Sequence, residues 1–446
     1  MRRLRSAVLR ASAAAITAIA VFAASGCGER EAPAGDPLAG PANAVRLYGS
    51  DGNMLNAVGE RLKDYPDSLT GMKGTAPFTR LPRTFRDRLR TIDRGLKDDL
   101  YSGESYDAVA ISALAAQIAG STRPRAIASQ INGVTTGGTV CDSVARCLQL
   151  IPAGQDIAYR GFSLRLGGFT DAGEPAAGTY GVLRFSAQNK LDETQTEFVP
   201  AGDPERASRQ RPPRPGSGSD EQDPLRIGAL LPHTGSLSSA GPPMFAGAQL
   251  AVREINQAGG VLGKPVEWFD GDDGTDAVKA KATVQRLIQR GVQVIVGAGA
   301  SGITKAVLPV TVAAGVVLFS PCNTAAELTN AADDGLYFRT APPDGLQATA
   351  LTDIIMRDGV RKIAIVARDD AYGKGLMDSV RERLLQAGLT ASDVKTVPYN
   401  SETPDFSGLG ADIKAFDPDG VLVIGFDESA DAIGELWKAG LESRAR

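Results

Sequence analysis

Beyond residue 225 the chain alternates short apolar runs with longer amphipathic stretches. Residues 225–231, 266–269, 292–296, 316–319, 362–366 and 420–424 are Val, Ile and Leu rich, and each predicts a strand. Residues 243–257, 276–290, 303–313 and 429–439 predict helices. So does a stretch in which Tyr372, Leu376, Val380 and Leu384 recur at four-residue spacing. Strands without polar alternation, separated by amphipathic helices, belong to parallel sheets covered on both faces, which is the α/β class. The pattern stops at Lys438, Ala439, Gly440 and Leu441, where another strand is due. Near the start the defect is reversed. Residues 45–48 predict a strand with no helix before it, and helices follow at 83–92 and 106–119.

Two segments lack this pattern. Residues 201–224 hold five prolines, with Arg206, Arg209, Arg211 and Arg214 among them. Such a stretch buries too little apolar surface to fold, so a disordered linker is expected between a block at 44–200 and a block at 225–446. The beginning differs again. Arg2, Arg3, Arg5 and Arg10 precede an apolar run over 11–24 that is short for a membrane span, and Ser25 and Gly26 follow. That order describes a signal peptide over 1–26. Cys27, directly after the small residues, resembles the lipidated cysteine of a bacterial lipobox, although Ala24 stands where Leu is commoner. The resemblance implies a diacylated Cys27, a lipid anchor in the membrane and a flexible tether over 27–43.

Composition narrows the function. With 446 residues the chain has room for two to four domains. Acids outnumber bases by 52 to 48, which argues against a nucleic-acid partner. A single histidine, His233, rules out sites built on several, and four cysteines rule out a disulfide-dense scaffold. The acids at Asp270, Asp272, Asp273 and Asp276 only loosely follow a calcium loop. Gly274 breaks the alternation and Lys281 stands where a bidentate Glu belongs. They are read as a solvated strand end, and no metal or cofactor is expected.

Several ordered motifs resemble one family. In the later block these are LRIGALLPHTGSLSSAGPPMFAGAQLAVREINQAGGVLGKPVEW, VIVGAGASGITKAVLPV, LFSPCNTAAELT, RTAPPDGLQATAL and IAIVARDDAYGKGL. They resemble the first part of branched-chain amino-acid-binding proteins, the type I substrate-binding components of ABC importers. In the earlier block, LYGSDGN, GMKGTAP and the stretch from YDAVAISALAAQIAG to LQLIPAGQDIAYRG resemble the last part of the same family. The order is inverted. The resemblance implies a two-lobed type I periplasmic-binding-protein fold in circularly permuted order, with the usual termini joined through 201–224. The rival arrangement is two half-domains that complete each other between chains.

The family closes two lobes on a small ligand, and the resemblance assigns the residues. Ser301, at a helix start after Gly297, Ala298, Gly299 and Ala300, would meet the ligand carboxylate, as a helix N-terminus favours. Thr324 would add a hydroxyl and the backbone near Cys322 and Asn323 further polar groups, with a helix cap as the alternative role of Thr324. Tyr372 would come from the second lobe and Phe426 would form a wall. Asp51 would receive the ammonium, one methylene shorter than the familiar Glu. Cys141 and Cys147 resemble a family disulfide. Gly297 to Gly302 also match a dinucleotide fingerprint, but no acid ends the next strand.

The function this implies is an extracytoplasmic solute-binding lipoprotein. It would carry an amino acid, branched-chain or related, to an ABC permease, as a monomer on the outer face of the cytoplasmic membrane or in the periplasm. A ligand sensor uncoupled from transport and a nucleotide-dependent oxidoreductase are the alternatives. His233, without catalytic partners nearby in sequence, is read as structural.

Overall fold

The structure is a computed structural model and describes residues 44–210 and 223–443. The signal segment 1–26, the lipidation candidate Cys27, the tether 27–43 and positions 211–222 of the expected linker lie outside the described residues.

Two sheets organise the chain. The first has five strands in the order Tyr337–Arg339, Val317–Ser320, Val294–Gly297, Arg226–Leu230 and Glu267–Phe269, all paired in parallel. Its alternate residues serve two different cores. Val294, Val296 and Val317 pack with Val109, Ile127 and Leu250 on one side. Ile295 and Leu318 pack with Val284 and Val307 on the other. Each such side chain contributes about 1.5–3 kcal/mol by leaving water, so a strand that feeds both faces has no room for polar alternation.

The second sheet runs in the order Val394–Tyr399, Ile363–Arg368, Gly420–Ile424, Ala44–Gly49, Lys73–Pro77, Ala177–Arg184 and Glu197–Gly202. The strand from the beginning of the chain, Ala44–Gly49, therefore lies beside Gly420–Ile424 and parallel to it, with Arg46 opposite Gly420 and Gly49 opposite Val423. The helix before the end, Ser429–Lys438, leads only into the two-residue strand Glu442–Ser443, which pairs with Ala44 and Val45. The strand position that the later block leaves vacant is filled from the earlier one.

The sheets are mainly parallel, as expected, and Ala177–Arg184 and Glu197–Gly202 add an antiparallel edge to the second. Two expectations need correction. The linker does not begin at 201. Glu197–Gly202 is a strand, Pro204–Arg206 a turn of 3₁₀ helix, and the Ser208 N–H donates to the Phe169 carbonyl at 2.6 Å. The residues after Thr324 form a short 3₁₀ helix, Ala326–Asn330, rather than a helix capped by Thr324, whose side chain accepts no capping bond.

Neither lobe is built from one block. The helix Ser102–Ala119, from the earlier block, packs along Gly241–Gln257, from the later one. The crossing is so close that a Cβ on Gly247 would stand 2.0 Å from the Ser102 carbonyl oxygen. Cys141 and Cys147 are joined as a disulfide with Cα atoms 5.6 Å apart, at the end of the short strand Thr139–Cys141 and inside the helix Val144–Leu150. Among the described residues no helix is long and apolar enough to cross a membrane.

The close crossing is testable. Gly247→Ala forces the two helices apart and is expected to cost about 1–3 kcal/mol of stability, as overpacking does. Urea unfolding measures it, and an unchanged midpoint would show that the two blocks do not depend on this contact.

Candidate functional site

The candidate site lies where the carboxyl ends of strands from both sheets meet. Strand Ala44–Gly49 ends and delivers Ser50, Asp51 and Gly52. Strand Val294–Gly297 delivers the turn into helix Ser301–Ala314. Strand Val317–Ser320 delivers Cys322, Asn323 and Thr324. Helix Ala371–Gln386, capped by the Asp370 carboxylate on the Gly373 N–H at 2.9 Å, places Tyr372 in its first turn. A small space of about 10 Å³ lies between Asp51, Tyr101, Ser301, Thr324, Tyr372 and Phe426. That is room for about one water, so the lobes are closed on each other.

Asp51 is the centre of this space. It is 4% exposed. The Tyr101 hydroxyl donates to its Oδ2 at 2.5 Å, and the Tyr372 hydroxyl and Gln347 Nε2 each donate to Oδ1 at 2.7 Å. Burial raises its carboxyl above the usual range, and these hydrogen bonds pull the other way. No lysine or arginine pairs with it among the described residues. Burial also raises the Tyr101 and Tyr372 hydroxyls, which keeps both as donors.

The opposite wall offers N–H groups and a hydroxyl. Ser301 opens a helix of 14 residues whose preceding residue, Ala300, makes no side-chain cap. The first N–H groups of a helix have no intrahelical acceptor, and they carry partial positive charge. Ser301 Oγ accepts from the Ala325 N–H at 3.2 Å and ties the two loops together. Among the described residues Thr324 Oγ1 is buried without a hydrogen-bond partner of ordinary geometry. Cys322 lines the space with a thiol that burial holds neutral. Phe426 stacks on Tyr372 at 5.4 Å with the rings 17° apart. Behind Phe426 the Arg368 guanidinium lies 3.8 Å from the ring centre, held by Glu428 and Asp370 at 2.6 Å each.

Of the sequence-predicted residues, Asp51, Ser301, Cys322, Thr324, Tyr372 and Phe426 therefore come together. Asn323 does not line the space. Its Oδ1 accepts from Thr304 Oγ1 and the Tyr337 hydroxyl, and its Nδ2 donates to the Ala298 and Gly299 carbonyls. Its side chain fastens the two loops from behind.

Other contributors were missed. Tyr101 precedes helix Ser102–Ala119 in a left-handed conformation, φ 61°, which brings the hydroxyl onto Asp51 from the other lobe. Nothing in its local sequence marks it. Gln347 lies on the buried face of helix Asp344–Arg357, and a glutamine on that face was a usable signal. Asp273 is buried, not solvated as the strand-end reading had it. Its Oδ2 accepts from the Gly299 N–H and its Oδ1 from the Thr275 N–H, both at 2.8 Å, and burial pushes its carboxyl up to about 6. It fixes the turn that presents Ser301. His233 stacks its ring on Phe245 at 3.6 Å.

An acid on one wall and a helix N-terminus with a hydroxyl on the other can hold a small molecule that is cationic at one end and anionic at the other. Residues 224–445 match a family model described as Periplasmic binding protein. The chain is 29% identical over 224 residues to Leu/Ile/Val-binding protein homolog 3 of Brucella melitensis, covering 49% of this chain and 59% of that protein. It is 29% identical to the leucine-, isoleucine-, valine-, threonine- and alanine-binding protein of Pseudomonas aeruginosa, covering 50% of this chain and 59% of that one. A similar solved structure is the branched-chain amino acid transporter substrate binding protein LivJ of Streptococcus pneumoniae in complex with isoleucine. It is 29% identical with a TM-score of 0.44, covering 50% of this chain and 63% of that one. The chain thus spans about three-fifths of the length of these relatives.

Asp51→Asn keeps the shape and removes the charge. If the cleft holds an ammonium, affinity is expected to fall about a hundredfold or more, since breaking a buried pair costs about 3–5 kcal/mol. Calorimetry on the folded variant checks this. Unchanged affinity with an unchanged circular dichroism spectrum would remove Asp51 from the site.

Proposed function

We propose, since residues 224–445 match a family model described as Periplasmic binding protein, that the chain is a solute-binding protein that captures a free amino acid and performs no reaction on it. The observation that carries this reading is the buried carboxylate of Asp51, supplied with neutral donors and no cation, facing the start of helix Ser301–Ala314. An α-amino acid fits both ends. Its ammonium lies against Asp51, with Tyr101 and Tyr372 around it. Its carboxylate lies on the N–H groups at Ser301 and on the Thr324 hydroxyl. Leu237, Ala240 and Phe426 leave an apolar wall for the side chain, which suits the branched-chain ligands in the names of the relatives.

The arrangement of the chain is read as a circular permutation within one molecule. Two observations support it. The match to the family model leaves residues 44–200 uncovered, and strand Ala44–Gly49 fills the sheet position beside Gly420–Ile424. One chain then supplies both walls of the cleft, and a monomer suffices. The remaining elements of the proposal come from the sequence and the family: export, lipidation at Cys27, a place outside the cytoplasmic membrane, and delivery to an ABC permease.

The cleft has room for about one water, so the ligand enters an opened form and the closed form retains it. Binding to the native state alone adds about 2.7 kcal/mol at a hundredfold excess over Kd. A melting-temperature screen of amino acids, with mass spectrometry of whatever small molecule co-purifies, tests the proposal. Branched-chain or similar apolar amino acids are expected to raise the melting temperature by several degrees. A full panel that produces no shift would contradict it.

A further inference from the structure

A second cavity, of about 270 Å³, lies against the antiparallel edge of the second sheet. Its floor is apolar. Leu81 and Leu183 are buried there, and the rings of Phe78 and Phe198 stack at 6.2 Å. Its rim is basic. Arg80 lies over Phe198 at 5.0 Å, and Arg83 and Arg184 have neither a hydrogen bond nor an ion pair from their side chains among the described residues.

The acids around the cavity are already engaged. Asp98 accepts from the Asn56 N–H at 3.0 Å and from Asn56 Nδ2 at 2.8 Å. Asp99 and Glu193 both pair with Arg86, at 2.9 and 2.6 Å. Asp192 accepts from the Thr194 N–H at 3.0 Å and its hydroxyl at 2.6 Å. Lys97 is paired with Glu60. Neutral donors leave Asp98 and Asp192 charged, but the lining cations Arg80, Arg83, Arg86, Arg90, Lys97 and Arg184 outnumber the four lining acids, so the excess charge at the mouth of the apolar floor is positive. The cavity does not merge with the cleft. Met54 and Leu100 line it, whereas their neighbours Asp51 and Tyr101 line the cleft.

We infer that this cavity is a second ligand site, for a small amphipathic carboxylate. The apolar part packs between Phe78, Phe198, Leu81 and Leu183, and the carboxylate meets Arg83 and Arg184. A guanidinium offers the paired N–H geometry that a carboxylate takes up. The volume is near the lower end for ligand pockets, about 300 Å³, which limits the ligand to one ring or a short chain.

Isothermal titration of the purified protein with 3-phenylpropionate tests this. Saturable 1:1 binding with a Kd below about 1 mM is expected. The alcohol 3-phenylpropan-1-ol is expected to bind at least about tenfold more weakly, because it lacks the charge that the arginines meet. Arg83→Gln with Arg184→Gln is expected to weaken 3-phenylpropionate binding at least about tenfold while leaving the amino-acid melting shift in place. Asp51→Asn, which disables the cleft, is expected to leave 3-phenylpropionate binding within about twofold. Four results would each overturn the inference: no saturable binding, equal binding of the alcohol, full binding to the arginine variant, or loss of binding in Asp51→Asn. Should the arginine variant fail to fold, the alcohol comparison and Asp51→Asn still decide. Inorganic phosphate displacing 3-phenylpropionate at equal concentration would also overturn it, by showing a simple anion site.

Discussion

A carboxylate taken out of water without a cation is the constraint around which the cleft is arranged. Asp51 is buried, and the three groups that donate to it are neutral: two phenols and an amide. Neutral donors offset part of the lost hydration but do not cancel the charge. The site would be satisfied by a positive group brought in from outside, and the proposed ligand ammonium is such a group. Because burial raises the Asp51 carboxyl in the closed cleft, an arriving ammonium also favours its ionised form. Tyr101 comes from one lobe and Asp51 from the other, so the same hydrogen bond that supports the carboxylate draws the lobes together.

The chain's path follows from the need to bury both faces of both sheets. A strand from the beginning of the chain completes the second sheet, and a helix from the same block covers the first. Gly247 lets that helix approach to backbone contact. The two blocks share their cores, and neither lobe has a complete sheet or a complete cover without the other. The acid wall and the N–H wall of the cleft stand on these composite lobes, which is why residues as distant in sequence as Asp51 and Tyr372 meet at 2.7 Å.

Much of this was legible in the sequence because strands that feed two cores must be apolar throughout. The runs around Val294 and Val317 are apolar for that reason, the run around Ile363 is buried throughout in one core, and the position of all three was readable. Strand Val394–Tyr399 was not, because it is an edge strand buried only at its two ends, with half-buried and exposed residues alternating between them, and contains Pro398. The antiparallel edge was hidden in the same way: Glu197–Gly202 is partly exposed and runs into the segment rich in proline and arginine. At the site, residues carried by loop motifs, including Asp51, Ser301, Thr324 and Tyr372, lie around one space. Residues that act from a helix face or from the residue preceding a helix were missed. Tyr101 and Gln347 reach Asp51 only through the packing of whole helices; no local pattern marks Tyr101, and for Gln347 the only signal is a polar residue on a buried helix face. Asn323 was assigned through its backbone, and its side chain is turned to the scaffold.

The claim on which the functional reading rests is that Asp51 recognises an ammonium. The direct measurement is calorimetric titration of the purified protein with the amino acid that stabilises it most, set against the same molecule without its amino group. The amino acid is expected to bind about a hundredfold or more tightly than its deaminated analogue, the difference that a buried charge pair supports. Equal affinity for the two would contradict the assignment of the cleft to an amino acid.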